Sequence, residues 1–155
     1  MANKDNPHGF RALQTVSGTV PMVLKGLTTT GLTIAPGDAV IKDASTGFLT
    51  IATAASASIF GVCQSKVTGE TGVSKEINYI PATEDVIWEG QCSGTLTQAM
   101  MGDTCDIEGT TGIMEVNENA TSKNVVRLIE LSDKPDNAMG EHALVKFKFT
   151  LNQFA

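Results

Sequence analysis

The chain is poor in the residues on which most enzyme chemistry draws. Only two histidines and three cysteines occur among its 155 residues. A catalytic nucleophile needs a base and an orienting acid brought to it, and the only imidazoles are those of His8 and His142. His8 lies in a polar leader and His142 beside Glu141 before the last apolar stretch, so both are expected as surface side chains. Cys63, Cys92 and Cys105 form no CxxC or Cys/His ligand spacing, which argues against zinc. They are expected as three small buried thiols of a chain made in a reducing compartment. Neither G-x-G-x-x-G nor GxxxxGK[ST] occurs, so no phosphate-cradling loop is expected.

Basic charge is also scarce. Lys and Arg total 11 against 17 Asp and Glu, a net charge of −6. That balance lacks the electrostatic footprint of a nucleic-acid binder. Nor is there an uninterrupted apolar run of about 20 residues, the length a membrane helix requires. The longest charge-free stretch, Ala44 to Ser65, is broken by Gly47, Gly61 and many Ser and Thr, and reads as two adjacent strands. The N-terminus is polar, with Pro7 and no apolar stretch of a secretory signal.

What is present is alternation. Val145, Phe147, Phe149 and Leu151 alternate with Lys146, Lys148 and Thr150, a period of two with one wet and one dry face. Val86, Trp88 and Cys92 share a face opposite Glu89 and Gln91, with Gly90 as a candidate bulge. Val125 to Leu131 is apolar toward both ends, as in a central strand. Shorter strands are expected at Leu13–Ser17, Gly31–Ile34, Ala39–Lys42, Phe48–Thr53, Ile59–Gln64, Glu76–Ile80, Cys105–Glu108 and Ile113–Val116. Turn chemistry separates them at Pro36-Gly37-Asp38, Ser45-Thr46-Gly47, Gly69 to Gly72, Gly109 to Gly112 and Lys134 to Asn137, where Pro135 suits the second position. Thr95 to Met101 is the one candidate for a short helix.

Short strands with turns at this spacing predict an all-β chain, an antiparallel sandwich or barrel. A non-core arm over residues 1–11 is expected to precede one β domain over 12–155. No metal or cofactor is expected; Asp103, Asp106 and Glu108 look in passing like a calcium loop but lack its further ligands. Two stretches stand apart from a self-contained domain. One is the leader, with Asn3, Asn6, Pro7, His8, Phe10 and Arg11; the other is the tail, where Phe154 falls on the wet side of the last strand. Apolar groups at otherwise polar ends often mark contact with a partner; the alternative is that both stretches fold back onto their own domain.

The order of motifs resembles the capsid decoration, or cement, proteins of tailed phages. The leader M-A-N-x-D-x-P-x-G-F is matched by Met1-Ala2-Asn3, Asp5, Pro7 and Gly9-Phe10. A Gly-Asp-x-Val turn follows at Gly37 to Val40 and an Ile-x-Gly-Val strand at Ile59 to Val62. Arg127-Leu128, the Pro-x-Asn-Ala-x-Gly turn from Pro135 through Asn137 to Gly140, and terminal Asn152 and Phe154 complete the series. The chain is shorter between Ile80 and Gly102 than many members, which bears on the size of any surface protrusion.

The resemblance implies a small β-tulip-like or barrel fold and a non-enzymatic role. That role is binding across joints between major capsid protein subunits on the outer surface of the virion, after synthesis in a bacterial cytoplasm. A homotrimer is the expected oligomer, with a dimer as the alternative, and the weakly charged strands from Phe48 to Val62 are expected at its interface. Deleting Ala2 to Phe10 is expected to leave the domain folded and to weaken capsid attachment. The competing reading is a carbohydrate-binding module of a tail or spike, using Tyr79 or Trp88 as its platform.

Overall fold

The structure, a computed structural model, describes residues 3–153. It is all-β, built from three antiparallel sheets, none of which closes into a barrel. Thirteen strands follow one another along the chain. They are β1 (Arg11–Thr15), β2 (Leu24–Leu27), β3 (Ala39–Lys42), β4 (Leu49–Ile51), β5 (Gly61–Cys63), β6 (Glu76–Pro81) and β7 (Val86–Gln91). Then come β8 (Thr95–Leu96), β9 (Thr104–Glu108), β10 (Glu115–Asn117), β11 (Val126–Leu131), β12 (Gly140–Glu141) and β13 (Leu144–Phe149).

The first sheet has the order β1-β7-β13-β11-β9-β10 and the second β2-β6-β5-β3-β4; β12 and β8 pair separately. Period-two alternation explains how the two large sheets share a core. Val126, Leu128, Val145, Phe147, Phe149, Val86 and Trp88 of the first sheet pack with Ala39, Val62 and Ile80 of the second in one buried cluster. The neighbouring positions Val40, Cys63, Ile77 and Tyr79 point the other way. With Ile34 and Leu49 they form a second cluster, covered by Leu24, Leu32, Phe60 and Val67. Leu151 is not part of the β13 alternation, because the strand ends at Phe149 and Leu151 is exposed.

Several local expectations need correction. The stretch after Cys92 is not an α-helix: Thr95 and Leu96 pair with β12, and only Gln98–Met100 winds, as a 3-10 turn. Gly31–Ile34 forms no strand and meets Val67 through a single bridge at Ile34. Gly90 is not a bulge, since β7 and β13 stay in register across it. The register shifts lie instead at Leu13 in β1 and Ile129 in β11. The Lys134–Asn137 turn has the expected chemistry: Asn137 N donates to the Lys134 carbonyl at 3.2 Å, with Pro135 second and Asp136 left-handed at φ 64°.

The described residues include no helix long and apolar enough to cross a membrane. Cys63, Cys92 and Cys105 are buried and free. Burial pushes the Cys63 thiol up to about 11 and that of Cys105 to about 12, so both stay protonated and inert at neutral pH.

Candidate functional site

The leader's expected separation from the core does not hold. Phe10 is 2% exposed and belongs to the main core. Its ring packs edge-on against Phe147 at 5.3 Å and Phe149 at 5.9 Å. Gly90 makes room for it: a Cβ there would stand 2.8 Å from Phe10 Cδ1. Phe10 is therefore an internal anchor and not a group free to enter a capsid subunit.

Gly9 is as tightly placed. It is left-handed at φ 81°, and a Cβ on it would lie 2.6 Å from the Gly37 carbonyl oxygen. Phe10 N donates to that same oxygen at 2.8 Å. The Gly-Phe of the leader and the Gly-Asp of the first turn are thus two halves of one backbone crossing. Asp38 holds the second half: its buried carboxylate accepts from Ala35 N at 2.9 Å and Gly112 N at 2.7 Å. Burial raises its pKa, against those two hydrogen bonds.

The rest of the arm crosses β7. Glu89 and Gln91, read as a wet face, are buried because the arm and the 132–135 stretch cover them. Gln91 Oε1 accepts from Asn6 N at 3.1 Å, and its Nε2 donates to Asp5 Oδ1 at 3.3 Å. Glu89 meets Arg11 Nη2 at 3.0 Å and Lys134 Nζ at 3.8 Å, and accepts from Ser132 Oγ. Arg11 is accordingly committed within the chain as the first residue of β1.

Asn3 closes the junction. Its Nδ2 donates to the carbonyls of Ala138 and Glu141, both at 2.8 Å, and its Oδ1 accepts from Ala138 N at 3.0 Å. Asn137 supports the receiving loop from inside, donating to Ser132 and Leu144 carbonyls and accepting from Leu144 N. Arm and turn, opposite ends of the sequence, therefore meet at one place. Between them lies a cleft of about 360 Å³ lined by Asn3, Asn6, His8, Pro135, Asn137 and His142, among others. Within the arm Pro7 is half-buried and His8 is exposed, and Gly140 opens β12. Phe154 lies outside the described residues.

A second surface carries no motif and was not singled out from the sequence. From the end of β1 through β2, the segment VSGTVPMVLKGL leaves Val16, Val20, Met22, Val23 and Leu27 at least half exposed, Val20 at 90%. Both flanking strands are sheet edges. The signal available in the sequence was apolar residues without strand alternation, around Pro21. The stretch expected at a subunit interface, Phe48 to Val62, buries Leu49, Ala52, Ile59 and Val62 and exposes Thr53, Ala54, Ala55 and Ala57.

The platform required by a carbohydrate module is missing from the surface, since Trp88 is fully buried and Tyr79 is 5% exposed. Asp106 is a loop anchor. It accepts from Ser122 N and Oγ, Lys123 N and Asn124 N at 2.7–3.1 Å. Burial works to raise its pKa, but those four donors outweigh it and hold the carboxyl below its usual value. Glu108 accepts from Asn117 Nδ2 at 2.6 Å.

Fold and surface together define a small all-β protein with a docked N-terminal arm and an exposed apolar segment. Compared with protein-family models, curated proteins and solved structures, the chain matches none.

Proposed function

We propose that this chain is a non-enzymatic structural protein of a tailed-phage head, bound to the outer shell across joints between major capsid protein subunits. The observation that carries the reading is the exposed apolar segment from Val16 to Leu27. Exposed apolar stretches that join two sheet edges are surfaces built to be covered by another protein. The order of leader, turn and strand motifs supplies the identity of that partner. Repetition on a lattice lets several weak contacts act together through effective concentration.

In this reading the exposed arm positions Lys4, Asp5, Asn6 and His8 sit at the contact rim, while Phe10 and Arg11 fix the arm from below. A closed homotrimer, with a dimer as the alternative, matches a symmetric lattice site. The test is density for this chain on the outside of purified, DNA-filled heads, with light scattering on the free protein. Heads that bind Val20→Lys/Met22→Lys as tightly as the parent chain would overturn the assignment of the surface. Heads that carry none of the chain would overturn the role.

A further inference from the structure

Three chemistry-bearing side chains meet beneath the arm that the sequence keeps far apart. Asp5 comes from the arm, Glu115 opens β10, and His142 stands in the turn before β13. One ligand atom from each, two carboxylate oxygens and an imidazole nitrogen, all lie within 4.8 Å of one another. His142 Nδ1 is 3.7 Å from Asp5 Oδ1, too far for a hydrogen bond. That nitrogen is closed to solvent and has no hydrogen-bond partner among the described residues, although the ring as a whole is 29% exposed. A shielded polar atom without a partner is rare enough to need an explanation.

We propose that Asp5, Glu115 and His142 bind a divalent transition-metal ion of the zinc type, which staples the arm to β10 and to the turn before β13. The donor set decides the class. An imidazole nitrogen with two carboxylates suits zinc and its first-row neighbours, whereas calcium and magnesium take oxygen donors. Bonds of about 2.0–2.2 Å require donor atoms roughly 3–3.5 Å apart. Asp5, on the exposed arm, supplies the movement that closes the set. Three protein ligands leave a coordination position open to water or to a donor from a partner. The site was invisible in the sequence because ligand motifs are read as short spacings, and here the fold alone brings the donors together.

The test uses tag-free protein stripped of metal, titrated with Zn²⁺ and followed by calorimetry and thermal melting. One saturable site and a rise in Tm of several degrees are expected. Amide exchange across residues 3–9 should slow in the same titration. Glu115→Gln and His142→Asn should each weaken binding at least tenfold and cancel the Tm shift; asparagine is chosen because residue 142 is left-handed at φ 55°. Asp5→Asn should in addition leave the arm exchanging as fast with Zn²⁺ as without it. No saturable site, or unchanged affinity in the three variants, would overturn the proposal. Neither result bears on the capsid reading, which rests on the apolar segment.

Discussion

The arm and the segment that follows β1 invert what their compositions promise. Residues 3–9 are almost wholly polar, yet they lie clamped on the first sheet by Asn3, Asn6 and Gly9, ending in the buried Phe10. Residues 16–27 hold six large apolar side chains and leave five of them at least half exposed, with only Leu24 packed on the second core cluster. Burial is therefore not a property of a segment's hydrophobicity alone. The arm has a receptor shaped for it: the Gly90 gap, the Gly37 carbonyl and the Ala138–Glu141 backbone. The apolar segment joins two sheet edges and leaves Val16, Val20, Met22, Val23 and Leu27 to solvent.

The comparison can be broken most sharply at Phe10. Phe10→Ala should cost about 3–5 kcal/mol, the range for emptying a buried aromatic site. Denaturant melts of the full chain would measure it, and a loss under 1 kcal/mol would return the leader to a separable arm. Gly90→Ala attacks the receptor and leaves the anchor alone. Its new Cβ must displace the Phe10 or Phe147 ring, so a loss of about 1–3 kcal/mol is expected. Faster amide exchange in the arm should accompany it.

The polar loop 120–124 extends the lesson: one carboxylate accepts four of its hydrogen bonds, beside those that Thr104 and Thr150 give to Asn124. Asp106→Asn replaces an acceptor of four hydrogen bonds with a group that also donates, and should cost about 1–3 kcal/mol. The pH dependence has a definite sign. Because the folded carboxyl titrates below its ordinary value of 3.8, its contribution is present above that pH. It is lost as pH falls through the folded pKa. Acid titration of the parent chain should therefore show a stability loss below about pH 4 that Asp106→Asn lacks in part. Asp38 acts oppositely, since a raised carboxyl pKa makes the folded state gain relative stability as pH falls toward 3.8.

The smallest effect on stability belongs to the apolar segment. Val20→Lys, at a 90% exposed position, should stay within about 0.5 kcal/mol of the parent. Its effect should appear in association, read by light scattering and head binding. A large loss in the melt would mean that the segment is covered in solution by its own chain or by a second copy.

Local sequence was enough to determine the class of fold. Alternation at Val145, Phe147 and Phe149 set the dry face of β13, and Ala39–Lys42 is a strand with the expected bounds. Pro135 found its turn position, and the three cysteines their burial, because turn dihedrals and small apolar volume are properties of the residues themselves. β2, β8 and β12 were not legible, since four residues or fewer with a glycine or threonine carry little periodic signal. The candidate site was legible in part: arm and turn were named, but not that they touch.

Only the tertiary structure decided which faces are covered. Alternation says that Gln91 and Trp88 point to opposite sides; it cannot say that an arm from residues 3–9 lies over Gln91. Nor can it say that the gap for Phe10 is a missing Cβ 80 residues away, or that Asp5 and Glu115 will face His142. Those outcomes depend on the packing of elements distant in the chain, and such packing leaves no mark on the local pattern of either partner.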